Sequence, residues 1–104
     1  MHYVLLAEHD ADNCPTSNAK TRDLLLKTGP EIPNVAQRNG VNIVAGPFVN
    51  REHIVVAVVE ADRSDAVDRF IVESRLHQWN RVRILPSLPI DQGMKDVQDS
   101  TSLW

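Results

Sequence analysis

The residues best suited to chemistry lie near the start of the chain, where His9 precedes Cys14, the single cysteine of the sequence. A thiolate is a nucleophile and a soft metal ligand, and an imidazole transfers protons near neutral pH and binds metals. Cys14 stands just before a predicted helix N-terminus, where unpaired backbone N–H groups favour the thiolate. The alternative interpretation is that Cys14 is a small, buried and unreactive residue at the start of the helix.

One hypothesis places His9 and Cys14 together in a metal site. Imidazole combined with thiolate suits Zn²⁺ or copper. The sequence has no Cys-x-x-Cys, His-x-His or His-Glu-x-x-His spacing, so the ligands of such a site would converge only in the folded chain. The further candidate ligands are a second histidine and a carboxylate: His53 or His77, and Glu8 or Glu52.

A second hypothesis makes His9, Glu8 and His53 the catalytic or ligand-binding groups of a protein that uses no bound cofactor. All three lie near the ends of predicted strands, where polar groups can reach the mouth of an apolar cavity, and a histidine there can act as a general base. Along the first strand, His9 shares a face with Leu5, whereas Glu8 shares the opposite face with Leu6. The alternative for Glu8 is simple solvation at the strand end.

The pattern of apolar residues predicts two strand-helix-strand units in succession. The predicted elements are a strand over 2–9, a helix from Thr16 or Ser17 to Asn39-Gly40, strands over 41–49 and 53–60, a helix from Asp62 or Ser64, and a strand over 81–85. Gly29-Pro30 and Pro33 are expected to kink or split the first helix. Gly46-Pro47 indicates an edge strand or a bulge. This order predicts an α+β, ferredoxin-like βαββαβ fold with a four-stranded antiparallel sheet and two helices on one face.

The predicted strands are apolar on both faces, most clearly over residues 54–59 (IVVAVV). Two helices can cover only one face of a four-stranded sheet, and a large apolar patch left on a monomer usually marks an interface or a ligand cleft. A symmetric dimer that packs sheet against sheet covers the second face. The sequence therefore predicts a homodimer.

The composition restricts the class of protein. A chain of 104 residues with 42% hydrophobic and 24% charged residues fits one globular domain, predicted over 1–90, followed by a polar tail over 91–104. A net charge of -3 and an aromatic fraction of 5% argue against nucleic-acid binding. No stretch has the length of a membrane span and no secretion signal is apparent, so no membrane association and a cytoplasmic location are predicted. The tail is expected either to be disordered or to dock Trp104 on the partner subunit.

Three segments carry a resemblance to a known family: residues 2–6 (HYVLL), 44–48 (VAGPF) and 59–62 (VEAD) before an amphipathic helix. Over residues 2–90 the chain resembles the dimeric α/β-barrel superfamily, especially its YCII-like branch. The resemblance implies that two sheets close into a barrel with a ligand cavity in each subunit. Members of the superfamily include monooxygenases that work without a metal, lactone isomerases and haem-handling enzymes.

The chain departs from the YCII-like pattern at its catalytic positions. That pattern places a histidine in the first helix and an aspartate near the end of the second, but residues 20–25 (KTRDLL) and 72–76 (VESRL) contain neither at those places. The resemblance therefore carries the fold and the dimer and not the catalytic residues. The expected function is small-molecule binding in an apolar cavity, with monooxygenase, isomerase or lyase activity as the enzymatic form. The alternatives are a zinc or copper protein and a non-catalytic structural or regulatory dimer.

Overall fold

A computed structural model describes residues 1–101 and shows an α+β fold built on a four-stranded antiparallel sheet. Its strands and α-helices are β1 His2–Glu8, α1 Ala19–Thr28, α2 Ile32–Arg38, β2 Asn42–Phe48, β3 Ile54–Glu60, α3 Ser64–Glu73, β4 Arg81–Ser87 and α4 Ile90–Asp99. The strand order is β2-β3-β1-β4, and every neighbouring pair is antiparallel. This topology is compatible with the predicted ferredoxin-like arrangement.

The first helical region is split in the way that its prolines predict. Helix α1 ends at Thr28, a 3₁₀ turn covers Gly29–Glu31, and α2 then begins with Pro33 in its first turn, where a missing N–H costs no helical hydrogen bond. The start of α1 differs from the prediction. Asn18 is the N-cap, and its side chain accepts a hydrogen bond from the backbone N–H of Thr21 at 3.1 Å.

The hydrophobic core lies between one face of the sheet and the helices. Alternate residues of the central strands β1 and β3 supply that face, and α2 and α3 pack on it with their apolar sides. Val59 of β3 and Val67 of α3 are both fully buried, with 0% of their surface exposed. The core comprises Tyr3, Leu5, Val35, Ala36, Val41, Ala57, Val59, Ala61, Ala66, Val67, Phe70 and Ile71.

The opposite face of the sheet is also apolar. Cross-strand pairing aligns Val4 of β1 with Val58 of β3 and with Leu85 of β4, and Leu6 with Val56. These five side chains are half-buried in the single chain, and we call them the open face. The predicted two-faced apolar character of the strands is therefore present in the structure.

The edge strands contain the irregularities that their glycine and prolines predict. The pairing of β2 with β3 shifts register on both sides of Ala45. Gly46 has φ +82, and a Cβ there would lie 2.7 Å from the carbonyl oxygen of Val56, so only glycine fits. Strand β4 continues through Pro86 to Ser87, beyond its predicted end at Leu85, because an edge strand tolerates a residue without an N–H.

The polar tail forms a helix over residues 90–99, which the sequence patterns did not predict. Helix α4 has no buried residue, and its apolar side chains Ile90, Met94 and Val97 recur at helical spacing along one side, exposed by 78%, 50% and 68%. The predicted docking of Trp104 on the partner subunit concerns a residue that lies outside the described range of 1–101. Among residues 1–101, neither α4 nor any other helix has the length and apolar character needed to cross a membrane.

Candidate functional site

His9 follows directly after β1 and continues the buried face of that strand. Its Nδ1 lies 2.9 Å from Oδ1 of Asn80, a residue only 8% exposed. The side-chain amide of Asn80 donates to the carbonyl oxygen of Leu76 at 3.0 Å, which fixes its Oδ1 toward the histidine. An amide oxygen can only accept, so Nδ1 of His9 carries a proton, and in the neutral imidazole the lone pair therefore lies on Nε2. That Nε2 is buried and has no hydrogen-bond partner within residues 1–101.

His53 lies at the end of the β2–β3 loop with φ 61, in the left-handed region that non-glycine residues rarely adopt. Asn50 shapes this loop, because its Oδ1 accepts from the backbone N–H groups of Glu52 at 3.1 Å and of Ile54 at 3.2 Å. The carbonyl oxygen of His53 accepts from the backbone N–H of His9 at 3.1 Å. The two histidine rings consequently meet edge to face, with centroids 5.3 Å apart.

Cys14 is half-buried in the connection between β1 and α1. Its carbonyl oxygen accepts from the backbone N–H groups of Ser17 at 2.9 Å and Asn18 at 2.8 Å, so a tight turn fixes the cysteine before the helix. The side chain of Arg22 secures the same turn by donating to the carbonyl oxygens of the two residues after Cys14, at 2.9 and 3.2 Å.

The environment of the thiol favours its ionised form. The hydroxyl of Thr16 lies 3.1 Å from Sγ of Cys14. Hydrogen bonds from this hydroxyl and from the backbone N–H of Thr16 lower the pKa of Cys14; burial opposes them to a lesser extent, and the nearby His53 adds smaller effects in the lowering direction. The Sγ atom and one ring nitrogen of each of His9 and His53 all lie within 4.8 Å of one another.

Removing the Thr16 hydroxyl tests this account of the thiol. In Thr16→Val the thiolate loses its strongest hydrogen bond, so the pKa of Cys14 rises and iodoacetamide alkylates Cys14 more slowly at pH 7. Alkylation rates followed by mass spectrometry across a pH series measure the change. Thr28→Val is the matched control, since the Thr28 hydroxyl bonds the carbonyl oxygen of Leu24 within α1. Equal alkylation profiles for the two variants would contradict the assigned role of Thr16.

The other candidates from the sequence lie outside this cluster. Glu8 points to the opposite side of β1 from His9, and its carboxylate faces the guanidinium of Arg81 at 3.6 Å, with both side chains exposed. Glu52 and His77 are also exposed. In the described part of the chain, the one group of three or more potential metal ligands is formed by His9, Cys14 and His53.

The cluster lines the outer of two adjoining cavities. The outer pocket has a volume of about 420 Å³ and holds His9, Cys14, Thr16 and His53 in its wall. The inner chamber, of about 170 Å³, lies between the sheet and the helices, and all its lining residues are apolar. The chamber is lined by Leu5, Ala7, Leu25, Ile32, Ile43, Pro47, Val49, Val55, Ala57, Val59, Phe70, Leu76, Trp79 and Val82. Both cavities are lined by Leu25, Val49, Val55 and Trp79, so they adjoin one another.

Several residues of the site were not predicted as functional from the sequence. Asn80 holds His9 from 71 positions away, and no local pattern links the two residues. Trp79 lies against the His9 ring with centroids 4.9 Å apart and also closes the chamber. The side chain of Asn50 was a recognisable signal, since asparagine in a tight loop commonly bonds backbone groups a few residues ahead.

No family model, no curated protein and no solved structure matches this chain. The interpretation of the site therefore depends on its own geometry and chemistry.

Proposed function

We propose that the protein binds a small molecule with an apolar body and a polar head, the body in the inner chamber and the head in the outer pocket. The observation that carries the proposal is the junction of a wholly apolar chamber with a pocket whose wall holds His9, Cys14 and His53. Ligand sites usually have this form, with mostly apolar walls and a few convergent polar groups.

The volume of the chamber limits the apolar body. A dry apolar cavity of about 150 Å³ holds a benzene molecule. The chamber, at about 170 Å³, fits one six-membered ring or a branched alkyl group of similar size. The outer pocket accommodates the polar head and any further substituents. The proposed ligand class is therefore a monocyclic aromatic or alicyclic compound with one polar substituent.

The same site supports a reaction class. In the protein without a bound metal, the neutral form of His9 has its proton fixed on Nδ1 by Asn80 and its lone pair on Nε2, which suits a general base. Proton abstraction beside a carbonyl or hydroxyl group is the central step of many isomerases and lyases. Among the enzymatic forms expected from the sequence, an isomerase or lyase fits this histidine best. Glu8 has no part in this proposal, because it lies on the other side of the strand.

Filling the chamber tests the proposal. Ala57 is 8% exposed and lines the chamber, so Ala57→Leu is expected to occupy the space of the ring and to weaken binding of benzyl alcohol and cyclohexylmethanol at least tenfold. Binding is measured by NMR titration of the purified chain. Ala45→Leu is the matched control, because Ala45 pairs with Val58 on the side of the sheet away from the helices and does not line the chamber.

Two results would count against a chamber ligand. One is the failure of both compounds to bind at millimolar concentration, and the other is equal affinity in Ala57→Leu and wild type. Circular dichroism and the Tm of each variant establish that a loss of binding is not a loss of fold.

The open face supports a second proposal, a homodimer. Val4, Leu6, Val56, Val58 and Leu85 form a contiguous apolar surface across three strands, and the helices α2 and α3 pack on the other side of the sheet. Burying this surface against a second copy removes it from water, at about 25 cal/mol for each Å² of apolar area. A two-fold arrangement covers both copies with the same patch.

A further inference from the structure

The ligand atoms of His9, Cys14 and His53 are close to the spacing that a bound metal requires. They lie within 4.8 Å of one another, whereas nitrogen and sulfur ligands around tetrahedral zinc are separated by about 3.4–3.6 Å, given metal–ligand bonds of about 2.0–2.3 Å. The ligand atoms must approach one another by at most about 1.4 Å to reach the zinc spacing, a distance on the scale of a side-chain rotation.

His9 has the hydrogen-bonding arrangement of a metal-binding histidine. A ligating imidazole usually donates its second ring N–H to a fixed acceptor, which sets the tautomer and the ring orientation. The Nδ1–H of His9 donates to Oδ1 of Asn80 at 2.9 Å, and Asn80 is itself held by the carbonyl oxygen of Leu76. The opposite nitrogen, Nε2, is buried with its lone pair unused by any residue of the described chain. A buried acceptor left in this state is costly unless a further group satisfies it.

The other two ligands are held by loops whose conformation is fixed by hydrogen bonds. Cys14 is fixed by the turn before α1, and hydrogen bonds from Thr16 favour the thiolate, which is the form that binds a metal. His53 has a left-handed backbone conformation that the side chain of Asn50 supports. Left-handed non-glycine residues are concentrated at functional sites, where the surrounding structure compensates for the strain.

We infer that His9, Cys14 and His53 bind one Zn²⁺ ion, with a fourth coordination position open to the outer pocket. Two imidazoles and one thiolate form a donor set that zinc accepts, and three protein ligands with one open position are typical of catalytic zinc. Copper sites with two histidines and one cysteine commonly add an axial methionine. The lining of the outer pocket, as far as the structure describes it, contains no methionine. Zinc is therefore the preferred ion.

This inference goes beyond the small-molecule proposal and does not depend on it. None of the three ligands lies in the wall of the inner chamber. Zinc binding with no ring ligand, and ring binding with no zinc, are both possible results. When zinc is bound, Nε2 of His9 is a ligand, and the open position on the metal then faces the polar head of a molecule in the outer pocket.

The test uses the full chain, stripped of metal with a chelator and titrated with Zn²⁺ and Co²⁺. We expect one Zn²⁺ per chain, and for Co²⁺ a sulfur-to-cobalt charge-transfer band together with the intense visible bands of four-coordinate cobalt. Cys14→Ser and His53→Asn should each weaken zinc binding at least a hundredfold. The sulfur-to-cobalt band should be absent from Cys14→Ser. Asparagine is chosen at residue 53 because it tolerates a left-handed backbone.

The matched control is His77→Asn, which removes an exposed histidine outside the cluster and should leave zinc affinity and the cobalt spectrum unchanged. Circular dichroism of each metal-free variant checks the fold separately from the metal. The inference is overturned if the wild type binds no zinc or if zinc affinity is the same in Cys14→Ser. Ring-ligand binding by the metal-free protein, measured in parallel, separates this outcome from that of the proposed function.

Discussion

Val59→Asp is expected to unfold the protein. Val59 is 0% exposed on the central strand β3, and its side chain lies in the core between the sheet and the helices. A carboxylate placed there has no cationic partner, so the variant must bury a charge or protonate it, at a cost of about 5 kcal/mol or more. The whole stability of a domain is about 5–15 kcal/mol. Far-ultraviolet circular dichroism should show loss of ordered structure or a much lower urea midpoint.

The adjacent residue provides the control for this prediction. Val58→Asp makes the same chemical change one position earlier on the same strand, but on the open face. Its carboxylate reaches water in the single chain, and the loss of β propensity is worth about 1 kcal/mol or less. The single chain of Val58→Asp should therefore remain folded. A Tm of Val59→Asp within a few degrees of wild type would show that the two faces of β3 are not buried as the structure has them.

The strands were predictable from the sequence because their signal is local. Continuous runs of β-branched residues, such as 54–59, and turn-forming residues between them define strands within a residue or two. The face that the helices cover was not predictable, because both faces of β1 and β3 are apolar. The alternation of side chains along a strand separates the two faces but does not indicate which of them the helices cover. Tyr3 and Val4 look equivalent in sequence, yet Tyr3 is in the core and Val4 is on the open face.

The candidate site was predictable in its residue types and only partly in its geometry. His9 and Cys14 were singled out because few residues in the chain can bind a metal or act as a nucleophile. Their convergence with His53 depends on the β1–β3 register, which pairs Glu8 with Ile54 and so brings the residue after β1 beside the residue before β3. That pairing belongs to the tertiary structure and has no signal in the local sequence. The same register explains why Glu8, one residue earlier, is directed away from the cluster.

The site lies at the end of the sheet because its reactive residues belong to irregular backbone segments and not to the strands. The cysteine turn and the histidine loop adjoin the central strands β1 and β3 at the same end of the sheet, where side chains are free of the pleat and can point into the space under the helices. Strand residues supply the apolar walls of the chamber, and loop residues supply the reactive groups. This division lets the loop residues vary in chemistry while the core remains packed.

The second large effect is expected at the open face, where Val58→Asp should convert a dimer into monomers. In an isologous interface each side chain on the patch approaches the same patch of the partner, so the two aspartates of a dimer are buried near one another. Like charges brought together in an interface cost several kcal/mol. Because each 1.4 kcal/mol is a factor of ten, the dimer Kd should rise on the order of a hundredfold to a thousandfold.

Light scattering coupled to size-exclusion chromatography and sedimentation equilibrium measure this change, over a concentration range that spans the wild-type Kd. Val72→Asp is the matched control, because Val72 is 44% exposed on α3, away from the sheet, and the same substitution there should leave the dimer intact. A wild-type protein that stays monomeric at high micromolar concentration would contradict the dimer. A Val58→Asp variant that dimerises as tightly as wild type would instead place the interface elsewhere, with the exposed apolar side of α4 as the next surface to alter, since Ile90 is 78% exposed.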